Sequence, residues 1–331
     1  MRAIHLEKTG TPDVLQLRDT PAPGYGANEV LLDIVYCGCN WADTMVRAGR
    51  YPHPVNYPMI IGFEVSGTVT AVGASVTKVK VGDRVCAILS NGGGYAEQVA
   101  VAEADVMPIP DALPFDLAAA FPIQGLTVYH MLHTVYQIKP GDKVLCHAIG
   151  GGLGLYVTQM ATHAGAEVMG TVGTPGKEKL PLEYGAGRVV NYKEEDFVET
   201  AIEFSDGVGI DLAIDSLGAS TLDRTYDAMR YLGHVINIGE AEGDPFNNIR
   251  ERTMPKSISF TRFHLQHIIP GSPLWEKGRK YVTDALLDGW LRVNIVKKYP
   301  LEQAAEMHRR LESRQVAGKL LLAVNELLVN D

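Results

Sequence analysis

"HAIGGGLGLYVTQMATHAGA", residues 147–166, places three consecutive glycines and a fourth at Gly154 directly ahead of an apolar, helix-like segment. Ordering glycine is entropically costly, so such a cluster needs a reason. Upstream, Pro140, Gly141 and Asp142 mark a turn, and Val144 to Ala148 reads as a short buried strand. Downstream, Leu153, Val157, Met160, Ala161 and Ala164 recur at helical spacing, and Gly165 closes the helix. "EVMGTV" (167–172) then reads as a second strand. Strand, glycine turn, helix and strand make a βαβ unit. A helix start offers unpaired N–H groups and partial positive charge, and a diphosphate can sit there if no side chain covers the backbone.

A glycine turn alone is also compatible with a plain strand-to-helix connection. The surrounding pattern decides between the two. "RVVNY" (188–192), "IDLAIDSLG" (210–218), "GHVINIG" (233–239) and "SISFTRF" (257–263) are further short apolar runs, several of them separated by helix-like segments. Beta and alpha alternating in this way predict an α/β, doubly wound parallel sheet that holds a dinucleotide.

The chain has 331 residues, of which 46% are hydrophobic, enough for two domains with sizeable cores. A formal charge of −9 argues against broad electrostatic binding to nucleic acid or anionic membrane. No apolar run approaches the roughly 20 residues of a membrane span, and the N-terminus carries no signal-peptide core. The cysteines at 37, 39, 86 and 146 show no disulfide spacing. A reduced, cytoplasmic enzyme is the expectation.

The first 120 residues differ in texture. "MRAIHL", "EVLLDIVYCGCN", "VSGTVTAVGASV", "DRVCAIL" and "AEQVAVA" read as strands of a compact, mostly antiparallel β domain. Beyond residue 265, two helices are expected at about 274–290 and 301–314, followed by the strand-like "KLLLAV". The tail is expected to return to the β domain, which makes the nucleotide fold an insertion.

The whole chain resembles the zinc-free quinone oxidoreductase (zeta-crystallin-like) branch of the medium-chain dehydrogenase/reductase superfamily. The resemblance rests on "NWADTMVRAGRYP" (40–52), "GFEVSGTV" (62–69), "VGDRV" (81–85), "GLTVYHML" (125–132), "HAIGGGLG" (147–154), "GTVGTPGK" (170–177), "VVNY" (189–192), "IDSLG" (214–218) and "GKLLL" (318–322). Ala148, Gly151 and Gly154 give the glycine motif in the form that branch uses. The resemblance implies a GroES-like catalytic domain, residues 1–123 and 266–331, around a Rossmann NADPH-binding domain, residues 124–265.

Zinc alcohol dehydrogenases of this superfamily place a cysteine where this chain has Asn40, and a histidine where it has Phe63, between Gly62 and Glu64. Neither residue supplies a thiolate or imidazole, and the ten histidines show no ligand spacing, so no metal is expected. Without a Lewis acid the chemistry left to the scaffold is hydride delivery to an acceptor that is already electrophilic. A quinone fits first and an enone or 2-alkenal second. A non-enzymatic alternative, an RNA-binding or structural zeta-crystallin-like protein, is weakened by the acidic charge and the intact glycine motif.

The resemblance places Asn40, Asp43, Tyr51, Gln124 and Thr127 around the reacting centre. Asn40, Tyr51 and Gln124 are the catalytic candidates, with Asn40 and Tyr51 as donors to the oxygen that gains charge. From the residues alone, Asn40 reads as a turn or helix cap, Tyr51 as an ordinary half-buried aromatic, and Asp43 as a residue that caps a helix or orients its neighbours. Met45 departs from the tyrosine that relatives often carry.

For the cofactor, "GTVGTPGK" ends the second strand with Gly173 and Thr174 and no acid, then offers Lys177. An acid there would favour NADH, whereas a hydroxyl with a cation, and Tyr192 nearby in this fold, favour the 2′-phosphate of NADPH. Asn40, Asp43, Thr127, Gly151, Gly152, Leu153, Gly154, Gly173, Thr174, Lys177, Tyr192, Ser216, Gly239 and Arg262 make up the expected cofactor set. Glu240 stands where relatives often have asparagine. The strand near 257–263 is expected at the sheet's edge, where the family pattern pairs it with its own copy in a homodimer. A proline at Thr261 is expected to weaken that pairing.

Overall fold

The computed structural model describes residues 1–242 and 246–325. In chain order, β1 (Arg2–Leu6), β2 (Leu15–Asp19) and β3 (Glu29–Cys39) lead into helix α1 (Trp41–Ala48). Strands β4 (Met59–Ile60), β5 (Glu64–Val72), β6 (Arg84–Ile88), β7 (Gln98–Ala102) and β8 (Val106–Pro108) follow, then α2 (Phe115–Ala120) and α3 (Pro122–His130). The alternating section comprises β9 (Lys143–Cys146), α4 (Gly152–His163), β10 (Glu167–Val172), α5 (Lys179–Glu183), β11 (Arg188–Asn191), α6 (Phe197–Phe204), β12 (Ile210–Asp215), α7 (Ala219–Ala228), β13 (Met229–Asn237), α8 (Ile249–Thr253) and β14 (Ser259–Arg262). Helix α9 (Pro273–Leu287), β15 (Ile295–Pro300), α10 (Ala304–Glu312) and β16 (Lys319–Ala323) end the described chain. Two compact units result: Met1–Leu126 with Ile268–Asp331, and Thr127–His267.

The second unit is built on one six-stranded, all-parallel sheet in the order β11-β10-β9-β12-β13-β14. Its central strands are buried on both faces along the apolar runs "VLC" of β9 and "LAI" of β12. The winding reverses between β9 and β12, and the crevice at such a reversal is where doubly wound sheets hold ligands. Strand β9 ends at Cys146, two residues earlier than the apolar run predicts, because Ala148 turns into the left-handed region with φ of 53°. Strand β14 is the edge, as expected. It carries a finer correction. The Phe263 amide donates to the Asn237 carbonyl, so by strand alternation Thr261 also faces β13, and Phe260 and Arg262 present the free edge. A proline at Thr261 therefore breaks the sheet itself.

The first unit contains a seven-stranded sheet, β15-β16-β3-β5-β6-β8 with β7 also on β3, and a three-stranded sheet, β2-β1-β4. All pairs are antiparallel except β15 with β16. The small sheet and the parallel pair were not expected from the sequence: β4 is two residues long, and "IVKKYP" of β15 lacks a clean alternation. Strand β3 alternates buried and half-buried residues only up to Ile34 and is buried continuously beyond, where α2 packs over it. Cys37 and Cys39 thus share a face but lie in a segment covered on both sides. The tail does return to this unit, since β16 pairs antiparallel with β3 and sets Leu320 opposite Cys39.

Candidate active site

In the second unit, the glycine turn has the shape a diphosphate needs. Gly151 caps α4 in extended conformation, and a β-carbon there would meet only the Ala148 carbonyl. The first-turn amides of α4, including those of Gly152 and Leu153, have no acceptor within the helix and stand beside this bare backbone. Gly154 serves the other face, where any β-carbon would strike the backbone of Ile149 and push helix from strand. His147 anchors the entry to the turn. Its ring joins Thr171 at 3.0 Å and Thr225 at 2.8 Å, and burial lowers its pKa to about 3, so it stays neutral.

The loop after β10 lies against the same turn. A β-carbon on Gly150 would come within 2.6 Å of the Lys177 carbonyl oxygen, so the glycine turn and the Thr174–Lys177 segment touch backbone to backbone. Gly173 leaves room for the Tyr192 ring in the same way. Gly173, Thr174, Lys177 and Tyr192 are thus gathered at the end of the sheet where β10 and β11 stop.

The ends of β12 and β13 are tied together. The amides of Ala241 and Glu242 donate to the carbonyls of Ser216 and Leu217, which brings Gly239 against Ser216. Beneath them the buried Asp215 carboxylate accepts from the Leu217 and Gly218 amides and, at 2.8 Å, from Asn237 Nδ2. Burial raises Asp215 to about 7 against these hydrogen bonds. Arg262 donates to Asn237 Oδ1 and stands 3.7 Å from Glu240. Asp215 and Asn237 escaped the sequence reading. An acid closing the buried run "LAID" is the signal that could have found Asp215.

In the first unit, Asn40, Asp43 and Gln124 come together. Asn40 is the N-cap of α1, and its amide N–H donates to Asp43 Oδ2 at 2.6 Å. Asp43 is fully buried, which raises its carboxyl to about 7 despite that bond and the charge of Lys319. The side chain of Asn40 is engaged at both ends. Nδ2 donates to Glu64 Oε1 at 2.7 Å, while Oδ1 accepts from Lys319 Nζ at 2.7 Å and Gln124 Nε2 at 3.2 Å. Lys319 also bonds Glu64, whose other oxygen accepts from the Ile123 amide at 2.8 Å. Gly38 makes this possible, because a β-carbon there would reach within 2.7 Å of Glu64 Oε1. Tyr51, beyond the end of α1, is half-buried against the core with its ring 5.5 Å from His53. Thr127, buried in α3, is the first residue of the second unit.

Glu64 and Lys319 were not singled out in the sequence. Both lie inside quoted motifs, but a lone lysine opening a strand ordinarily reads as exposed.

A zinc ion does not fit these residues. Asn40 and Glu64 are joined to an ammonium, Phe63 has no donor, and the four thiols are buried, with burial pushing each pKa up. Among the described residues, no three His, Cys, Asp or Glu side chains converge as metal ligands, and no helix is long and apolar enough to cross a membrane.

Comparison with known proteins agrees with this architecture. A zinc-binding dehydrogenase family model matches residues 152–282, and an alcohol dehydrogenase GroES-like domain model matches residues 26–111. Quinone oxidoreductase 1 of Escherichia coli K12 is 34% identical over 96% of this chain and 98% of its own. A 2-haloacrylate reductase of a Burkholderia species is 33% identical over 97% and 98%. The crystal structure of Escherichia coli quinone oxidoreductase complexed with NADPH superposes with a TM-score of 0.94, covering 98% of this chain and 100% of that one at 34% identity. The chain belongs to the zinc-free quinone oxidoreductase branch of the medium-chain dehydrogenase/reductase superfamily.

Proposed function

We propose that this protein is an NADPH-dependent quinone oxidoreductase that transfers hydride without zinc. The observation that carries the reading is the bare glycine turn with Lys177 and Tyr192 beside it, in a chain similar over its length to a quinone oxidoreductase crystallised with NADPH. In this reading Thr127–His267 is the nucleotide-binding unit and the remainder is the catalytic domain. Gly151, Gly152, Leu153 and Gly154 hold the diphosphate, and Gly173, Thr174, Lys177 and Tyr192 hold the 2′-phosphate. Ser216, Gly239 and Arg262 line the nicotinamide side, with Asn40 and Thr127 completing the cofactor set; Asp43, fully buried, serves that set only through its bond to the Asn40 amide.

When bound, NADPH supplies the hydride, and the protein's part is alignment and stabilisation of charge on the acceptor. Asn40 keeps one Nδ2 hydrogen beyond its bond to Glu64, and this hydrogen donates to the acceptor oxygen as negative charge develops. Tyr51 is the second donor. Gln124 orients Asn40 through its 3.2 Å bond.

A second reading, reduction of an electrophilic alkene, draws support from the relative named 2-haloacrylate reductase. Initial rates with 1,4-benzoquinone and with 2-hexenal, each with NADPH and with NADH, test both. The proposal expects NADPH and the quinone to give the highest kcat/KM. Faster turnover of the alkenal would move the assignment to the second reading, and no turnover of either would defeat both. The protein in this reading works in the cytoplasm as a homodimer joined through β14.

A further inference from the structure

We propose that Lys319 is a positioning residue for hydride transfer: its ammonium, held by Glu64, fixes the Asn40 amide with one Nδ2 hydrogen directed to the acceptor oxygen. The proposal rests on the reading of Asn40 given above and adds what makes that side chain an effective donor.

The fold isolates the pair. Lys319 and Glu64 expose 1% and 0% of their side chains. Removing two charges from water is costly, and well-packed apolar residues generally serve stability as well or better. Stability alone therefore gives little reason for an ion pair at the join of β3, β5 and β16.

What the pair does locally is orient Asn40. With Oδ1 facing Lys319 and Gln124, and Nδ2 facing Glu64, every contact joins a donor to an acceptor. A flipped amide would set its NH₂ against an ammonium and a second amide NH₂, and its oxygen against a carboxylate. One orientation survives. An ammonium on the carbonyl side of an amide also polarises it, so the remaining N–H becomes a stronger donor, and low local dielectric enlarges the effect. Gln124 Oε1, on the residue adjoining Asn40 in this network, is buried with no hydrogen-bond partner.

The strand register explains why Lys319 is the residue that reaches. Leu320 lies opposite Cys39, which sets Lys319 beside Asn40 where β3 ends. The position that the zinc enzymes fill with a metal ligand is here an amide bonded to a fixed organic cation.

The test compares wild type, Asn40→Ala, the neutral pair Lys319→Met with Glu64→Gln, and the triple variant. For each, kcat and KM for 1,4-benzoquinone are measured with NADPH, together with the melting temperature and the NADPH dissociation constant. The neutral pair is expected to keep a cooperative melt and NADPH affinity within twofold, while kcat falls at least tenfold. In the Asn40→Ala background the same change is expected to cost less than twofold, because the two act through one group. A neutral pair with wild-type kcat, or a full loss repeated on top of Asn40→Ala, overturns the proposal. If the neutral pair does not fold, Lys319→Arg keeps the charge but displaces its donors. That variant is expected to lose at least fivefold in kcat with NADPH affinity retained, and wild-type kcat in it is equally fatal. Absence of turnover in wild type itself would instead remove the functional reading, and this proposal with it.

Discussion

Gly173 and Tyr192 occupy adjoining space so closely that a β-carbon on the glycine would lie 2.5 Å from the tyrosine hydroxyl. The glycine ends the run of β10 and the tyrosine follows β11, so the bare position lets the ring lie across the strand ends. Gly173→Ala should therefore displace Tyr192 without disturbing the glycine turn. We expect NADPH affinity to fall about tenfold, equivalent to roughly 1.4 kcal/mol, with a smaller loss for NADH. Fluorescence titration with both cofactors checks this, and unchanged NADPH binding would place Tyr192 outside the cofactor site.

Lys177 sits on the loop that touches Gly150, and in the proposed function its charge is the cation that meets the 2′-phosphate. Lys177→Ala should weaken NADPH binding about 10- to 150-fold, the loss of one charged hydrogen bond of roughly 1.5–3 kcal/mol, and leave NADH nearly unchanged. Equal losses for the two cofactors would show that the lysine only supports the loop.

These two cases show how the sequence carried the nucleotide side of the molecule. The glycine spacing, the missing acid after β10 and the lysine four residues beyond Gly173 are all local, and the chemistry they serve is local too. Tyr192 was reached only through the family resemblance, because nothing in "VVNY" says which turn its ring covers.

The edge of the parallel sheet gives the third prediction. Among the described residues strand β14 pairs only with β13, and Phe260 and Arg262 present its outward backbone groups. A self-paired edge would give a dimer of about 72 kDa from two chains of 36.0 kDa. Phe260→Pro removes an outward N–H without removing a ladder bond to β13. We expect light scattering to report the dimer for wild type and a shift toward monomer for the variant. A monomeric wild type at micromolar concentration would end the idea.

Asp43 gives a pH-dependent prediction. Burial raises its carboxyl to about 7 in the folded chain, against an ordinary 3.8 when unfolded. Between those values the folded state holds a proton that the unfolded state has lost, so this group's contribution to stability declines as pH rises through the window. Asp43→Asn retains an oxygen for the Asn40 amide and cannot ionise. Its stability in urea, relative to wild type, should improve steadily from pH 5 to pH 8. A difference that stays constant with pH would mean that Asp43 ionises normally. Asp215 shifts in the same direction and is unaltered by the substitution, so it cancels in the comparison.

The sequence by itself determined the elements whose cause is local. Apolar runs alternating with helix-spaced segments gave the parallel sheet, and the glycines marked the bare turn at which its first helix begins. Asn40 in place of a cysteine and Phe63 in place of a histidine argued against a metal. What it could not give was the meaning of Glu64 and Lys319, which are 255 residues apart. One opens a strand after a glycine–phenylalanine pair and the other opens "KLLLA", where a lysine reads as a solvated end. Only the register of β16 on β3, with Gly38 leaving space between them, brings that ammonium out of water and onto Asn40. A charge's role depends on its surroundings, and those are assembled by long-range strand pairing that no local pattern encodes.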